Sequence, residues 1–239
     1  MANCNETAAD LPPYDRPFIV YVDDICTFPT RDLQQFFETL HLPIIISAAV
    51  VVGDQPAAVK KLAEGYCGRY EARPEAEQKI AVEPKQTKEK EFTLNLPSQP
   101  WYLEGYHRPS LNHPDNAVYD IIGSLLSDGR TSRLYKSLVE EKQLALAAQG
   151  FSGFPGDKYP NLMLFYALTA PGRSVDEVAA ALREQIEALK AKPVSAKELE
   201  RVKTNARAGL LRSLDSNMGM AQQLLEYEIK TGSWKNLFE

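Results

Sequence analysis

The chain has 239 residues, room for one large or two small domains, and its 44% hydrophobic and 25% charged residues suit a globular protein with a proper core. A formal net charge of −5 argues against nucleic acid as the main partner, because phosphate binding needs a basic footprint. No apolar run is long enough to span a bilayer, and the opening MANCNETAADLPPYDRP has neither the basic nor the apolar part of a secretory signal. Cys4, Cys26 and Cys67 form no CxxC pair, so a reducing, cytoplasmic setting fits best.

Residues 11–30, LPPYDRPFIVYVDDICTFPT, read as a loop holding a short strand. Thr30 is a candidate cap for a helix with Leu33, Phe36, Phe37 and Leu40 on one face, ended by Pro43. The run IIISAAVVV, Ile44 to Val52, is rich in β-branched residues and has the length of a strand covered on both faces. After the Gly53-Asp54 turn, Asp54 is a candidate cap and Pro56 sits in the first turn of a helix. Val59, Leu62, Ala63 and Tyr66 stripe that helix, and Gly68 stops it. The charged stretch EARPEAEQKIAVEPKQTKEKE places a linker and a domain boundary near residue 80. Phe92, Leu94 and Leu96 then alternate with Thr93 and Asn95, the period of a half-buried strand, and WYLEGYHRP continues it beyond Pro97 and Pro100.

Asp115 is a candidate cap for a helix to about Leu126, with Val118, Ile121, Ile122 and Leu125 inward. A second helix is expected from Arg130 or Thr131, burying Leu134 and Leu138. Strands follow around Leu144–Phe151 and Leu162–Thr169, joined by GFPGDKYPN. Ser174/Glu177 and Ser195/Glu198 have capping-box spacing, and each opens a periodic helix. The first is striped by Val178, Leu182, Ile186 and Leu189, the second by Leu199, Val202, Ala206, Leu210 and Leu214. The irregular order of strands and helices predicts an α+β fold: a mostly antiparallel sheet with helices packed on one face.

No complete catalytic constellation emerges from the residues. Tyr21-Val22-Asp23-Asp24 matches a polymerase-like YxDD metal signature, but that chemistry needs a third acid and a basic groove, so a surface turn is the better reading. His41, His107 and His113 have no helical zinc-protease spacing. A metal held by His107, His113 and Asp115 would require one loop to fold back on itself. Cys67 reads as a core thiol. Gly129 is a lone glycine, so Asp128-Gly129 is a helix cap and turn rather than a phosphate loop. Glu140-Glu141 and Arg201, Lys203, Arg207 and Arg212 read as solvated faces and ion pairs.

Order and spacing of longer stretches carry a resemblance. PYDRPFIVYVDDI, TRDLQQFFETLHLP and VVVGDQPAAVKKLAEGYCG resemble the end of the first domain of the M16 zinc metallopeptidases, the pitrilysin, insulinase and mitochondrial processing peptidase family. SLLSDGRTSRLYKSLVEEKQLA resembles the helix joint of the next domain, and LTAPGRSVDEVAAALREQIEALKAKPVSAKELERVKTNARAGLL its late helices. The resemblance implies LuxS/MPP-like α+β layers. It also implies a Zn2+ held by an inverted HxxEH helix and a distant glutamate, none of which the matched stretches contain. A family stretch of the form RExxGLxY supplies a substrate-holding arginine and tyrosine; those positions fall here at Val139 and Leu146, which cannot donate hydrogen bonds. Pro43-Ile44-Ile45 stands where the family has PNN, and the chain stops at KNLFE where the family continues with a helix and strand.

The resemblance therefore implies residues 1–80 as the end of a zinc-domain-like unit and 81–239 as the second domain, cut short. No catalytic or metal-ligating residue and no cofactor are expected in the chain. Its expected role is the non-catalytic portion of a zinc metalloendopeptidase, helping to enclose peptide substrates beside an HxxEH-bearing domain or chain. The alternative is a zinc-free structural subunit pairing with an active one, or a homo-oligomer. A nucleic-acid enzyme built on YVDD is the reading from another class.

Overall fold

The protein is described by a computed structural model over residues 22–40, 47–51, 53, 55–70 and 84–238. Among the described residues the helices α1 (Val22–Thr27), α2 (Thr30–Leu40) and α3 (Pro56–Cys67) come first. There follow β1 (Trp101–Arg108), α4 (Asn116–Ser127), a π-helical segment (Tyr135–Glu141), β2 (Ala145–Phe154) and β3 (Asn161–Thr169). The C-terminal helices are α5 (Val175–Ala191), α6 (Ala196–Leu214) and α7 (Asn217–Thr231), closed by a 3-10 turn, Trp234–Leu237.

The strands form one antiparallel sheet in the order β1-β3-β2, with Tyr106 opposite Met163 and Ala148 opposite Ala167. Because side chains alternate along a strand, Met163, Phe165 and Ala167 of β3 share one face, joined by Tyr102 and Tyr106 of β1 and Ala148 of β2. Leu126 of α4, Leu134, Leu138 of the π-helical segment, and Val178, Leu182 and Ile186 of α5 cover that face. Each such buried leucine is worth about 1.5–3 kcal/mol, and this layer holds the core together.

Both capping boxes form. The Ser174 hydroxyl accepts from the Glu177 amide at 3.2 Å while the Glu177 carboxylate accepts from the Ser174 amide at 2.8 Å, and Ser195 with Glu198 repeats the arrangement. Along α6 only Val202 is buried; Ala206 is exposed, and Leu199 and Leu214 at the two ends of the stripe are half-buried.

Arg108, at the end of β1, is 4% exposed and fastens the layers. Its guanidinium donates to Asn116 and to the Ser152 hydroxyl at 2.6 Å, lies 3.4 Å from the Asp120 carboxylate, and sits over the Tyr119 ring. One side chain thus connects β1, α4 and β2.

Several elements differ from the sequence expectations. Val22–Thr27 is a helix rather than loop or turn, while residues 11–21, with the rest of the expected loop and strand, lie outside the described residues. Thr30 is the first residue of α2, and the Pro29 carbonyl accepts from the Asp32 amide at 2.9 Å in place of a threonine cap. Gln55 precedes α3, with Asp54 outside the described residues. Residues 47–51, the described part of Ile44–Val52, are not a strand, nor are Phe92, Leu94 and Leu96. A strand exists only where another offers its hydrogen bonds, and the described ladder pairs only β1, β3 and β2. Pro97 and Pro100 also remove donors just ahead of β1. The helix expected from Arg130 becomes the π-helical segment. The helix α7 had no counterpart in the expectations: none of its residues is buried.

Two glycines let α4 approach β2. A Cβ on Gly150 would lie 2.5 Å from the Phe165 ring, 2.8 Å from the Ser127 hydroxyl and 2.9 Å from the Leu164 carbonyl. On Gly123 it would meet only Ser152, at 3.1 Å. Gly150→Ala is therefore expected to cost at least about 1–3 kcal/mol by overpacking. In Gly123→Ala the gain in helix propensity offsets the milder contact, leaving a much smaller change. Urea denaturation midpoints of the two variants test this contrast.

Candidate functional site

The joint flagged by SLLSDGRTSRLYKSLVEEKQLA is built from consecutive turns. The helix α4 ends where the Asp128 amide donates to the Ser124 carbonyl at 3.1 Å, and Gly129 takes φ +70°, as expected of a cap and turn. Two bonds from α6 fix the turn. Arg201 donates to the Thr131 hydroxyl at 2.7 Å, and Arg133 reaches both Glu198 oxygens at 3.2 Å. Leu134 and Leu138 are fully buried, as their spacing predicts.

Beyond them the backbone is unusual. The Lys142 amide donates five residues back, to the Ser137 carbonyl at 2.9 Å, and the Leu144 amide six back, to the Leu138 carbonyl at 2.8 Å. Gln143 then adopts φ +50°, a left-handed conformation, and a register shift interrupts β2 between Ala145 and Ala147. Gln143 stands at the glycine of the family pattern RExxGLxY, which is the one sequence signal for this turn. Val139 is half buried against the core, while Leu146 at the bulge is 53% exposed.

The remaining sequence candidates stay apart. Asp23 lies exposed and Asp24 half-buried in the first turn of α1, and Tyr21 is outside the described residues. His113 is 3.7 Å from Asp115 and accepts its amide proton at 3.2 Å, which is a loop cap. His107 is exposed on β1, and His41 lies outside the described residues. Among the described residues no three His, Cys, Asp or Glu side chains gather as a metal site would need, so they do not fit the family's zinc. Cys67 is an exposed free thiol, like Cys26, and no described residue of α3 is buried. Lys203 pairs with Glu200 at 3.2 Å, and Arg207, Arg212, Glu140 and Glu141 are exposed, as read from the sequence.

Charge is instead concentrated on the helix side of β1. Glu104 accepts hydroxyl protons from Tyr102, at 2.7 Å, and from Tyr106, and Arg183 of α5 donates to it at 3.3 Å while also reaching Glu89. Burial first, and then the Glu104 carboxylate, push both phenols well above their ordinary range. The same carboxylate raises Arg183, so the guanidinium stays charged.

The opposite face of the sheet contrasts with this. Trp101, Leu103, Gly105 and His107 of β1, the even residues of β3 and Ala147, Gln149 and Phe151 of β2 alternate away from the helix-covered face, although Leu162 and Leu164 at its centre are buried. None of these is Asp, Glu, Lys or Arg. Trp101, Tyr166, Phe151 and Phe154 form a continuous row of rings, with Trp101 50% and Phe151 41% exposed. Periodicity did not disclose this row, because the β3 run LMLFYALT is apolar on both faces.

The sequence profile described as the peptidase M16 inactive domain matches residues 27–206. The chain belongs to this M16 family. Zinc protease PqqE of Helicobacter pylori is 26% identical over 225 residues, covering 91% of this chain and 50% of that protein. The fold is that of a crystallised Helicobacter pylori protease, with a TM-score of 0.83 at 22% identity over 99% of this chain and 59% of the other. It is also that of a peptidase M16 inactive domain from Pseudomonas fluorescens, with a TM-score of 0.74 at 17% identity over 99% of this chain and 56% of the other. The M16 chain therefore spans about half the length of the curated relatives it matches, in the α+β class expected.

Two outcomes follow from the joint. The Arg133 hydrogen bonds, helped by Ser195, hold the Glu198 carboxyl below its ordinary value of 4.5 despite some burial. Its folded value lies below its unfolded one, so its stabilisation is complete above 4.5 and fades as pH falls through the folded value. The gap in urea midpoint between wild type and Glu198→Gln should be widest at neutral pH and close in acid. Gln143→Gly should relieve a left-handed conformation that costs a side chain about 1–2 kcal/mol. Because glycine loses more entropy on folding, the net gain should be at most about 1 kcal/mol, read in the same assay.

Proposed function

We propose that this chain forms the non-catalytic part of an M16-type zinc metalloendopeptidase. In this reading residues 1–80 complete a zinc-domain-like unit, and residues 81–239 form a second domain whose open sheet face looks into a peptide-enclosing chamber. The HxxEH-bearing part comes from the same polypeptide or from a partner chain.

One observation carries the reading: the matched family is the inactive domain, and its layered fold is built here with an apolar face left outward. The relatives' description as zinc proteases about twice the matched length supports peptide hydrolysis as the activity of the whole. The proposed boundary is supported by the core cluster, which runs from Leu126 to Ile186 and draws nothing from α1, α2 or α3. Among the described residues no helix is long and apolar enough to cross a membrane.

The purified chain is expected to bind no stoichiometric zinc and to leave a quenched peptide uncleaved. Co-expression with an HxxEH-bearing M16 chain should give a stable complex by size-exclusion chromatography, with chelator-sensitive cleavage. Zinc at one equivalent together with chelator-sensitive cleavage by the chain alone would overturn the reading.

A further inference from the structure

We infer that the ring row Trp101–Tyr166–Phe151–Phe154 is a subsite for the side chains of an extended, uncharged peptide segment; the inference rests on the peptide-handling role proposed above. Successive ring centroids are 5.7, 5.6 and 6.1 Å apart; the first two steps cross from β1 through β3 to β2, and the last runs along β2. Same-face side chains of an extended chain recur about every 6.8 Å, so alternate residues of such a segment meet successive rings. The sheet backbone is engaged in its own ladder along β3, so the segment lies across the strands and binds through side chains.

Charge selects the occupant. A quarter of this chain's residues are charged, yet no Asp, Glu, Lys or Arg points outward from the face described above. A charged segment laid there would lose water and gain no counter-charge, whereas aromatic or aliphatic side chains would gain ring contacts. Polar capacity is present but neutral: the Tyr166 hydroxyl donates to the Gln149 amide oxygen at 2.8 Å.

The chain has two tryptophans, so Trp234→Phe leaves Trp101 as the sole indole. This variant of the full chain is titrated with a short peptide alternating Phe and Thr between lysine caps, and with the same peptide carrying Glu in place of Phe. A saturable blue shift with the Phe peptide alone is expected, and Phe151→Ala should weaken it about tenfold. Phe151→Leu, which keeps apolar bulk, replaces the alanine variant if that one loses the native urea midpoint. Absence of a shift, an equal response to the Glu peptide, or unchanged affinity without the Phe151 ring overturns the inference. A blue shift that grows with protein concentration alone assigns the face to a second copy and also overturns it. Lost peptide binding with intact pairing to an HxxEH chain refutes this inference alone, while retained peptide binding without pairing refutes only the role proposed above.

Discussion

A buried guanidinium organises the sheet and the helix above it. The Arg108 guanidinium could not be buried inside the fold without partners, because an isolated buried ion is prohibitively costly. Asn116 and Asp120 on α4 and Ser152 on β2 meet that need, and the Ser152 hydroxyl in turn donates to Asp120 at 2.7 Å. The set fixes where α4 crosses the sheet, and that crossing makes the absence of a side chain at Gly150 necessary. Only the arginine is buried, while the Asp120 side chain is 53% exposed, so the cost of losing a partner falls on the Arg108 guanidinium and water can satisfy the carboxylate.

The same logic sorts the molecule electrostatically. Charged side chains that β1 carries, Glu104 and Arg108, both turn toward the helices, where tyrosines, Arg183 and Asp120 satisfy them. The outward residues of the same strand are then free to be apolar or neutral. A strand reading WYLEGYHR thus divides its chemistry cleanly by parity, and the open face owes its neutrality to pairing completed on the other side.

Much of this was legible beforehand where the signal is local. Both capping boxes, the Asp128-Gly129 turn and the burial of Leu125, Leu134 and Leu138 depend on residues within a turn or two of one another, whereas Val118 of the expected α4 stripe is 53% exposed and Asp115 makes no side-chain cap. The strands around Leu144–Phe151 and Leu162–Thr169 were legible within a few residues as well. Ile44–Val52 and Phe92–Leu96 read as strands because their side chains suit one, yet strand formation needs a neighbouring edge that the sequence does not specify. The π-helical segment was hidden because no residue type announces a widened helical turn. The ring row was not legible, because its members come from three strands and meet only once their register is set.

Strand order has a consequence for synthesis. The central strand, β3, is the last of the three in the chain, so β1 and β2 leave the ribosome without a partner for either. Trp101 of β1 must wait for Leu168, and Ala145 of β2 for Thr169, before the ladder can close. Until then two unpaired strands rich in aromatic and small apolar residues coexist in the nascent chain, the condition under which strands find partners on other molecules. Pro97 and Pro100, just ahead of β1, shorten one of these edges and so serve the unfinished protein as well as the finished one.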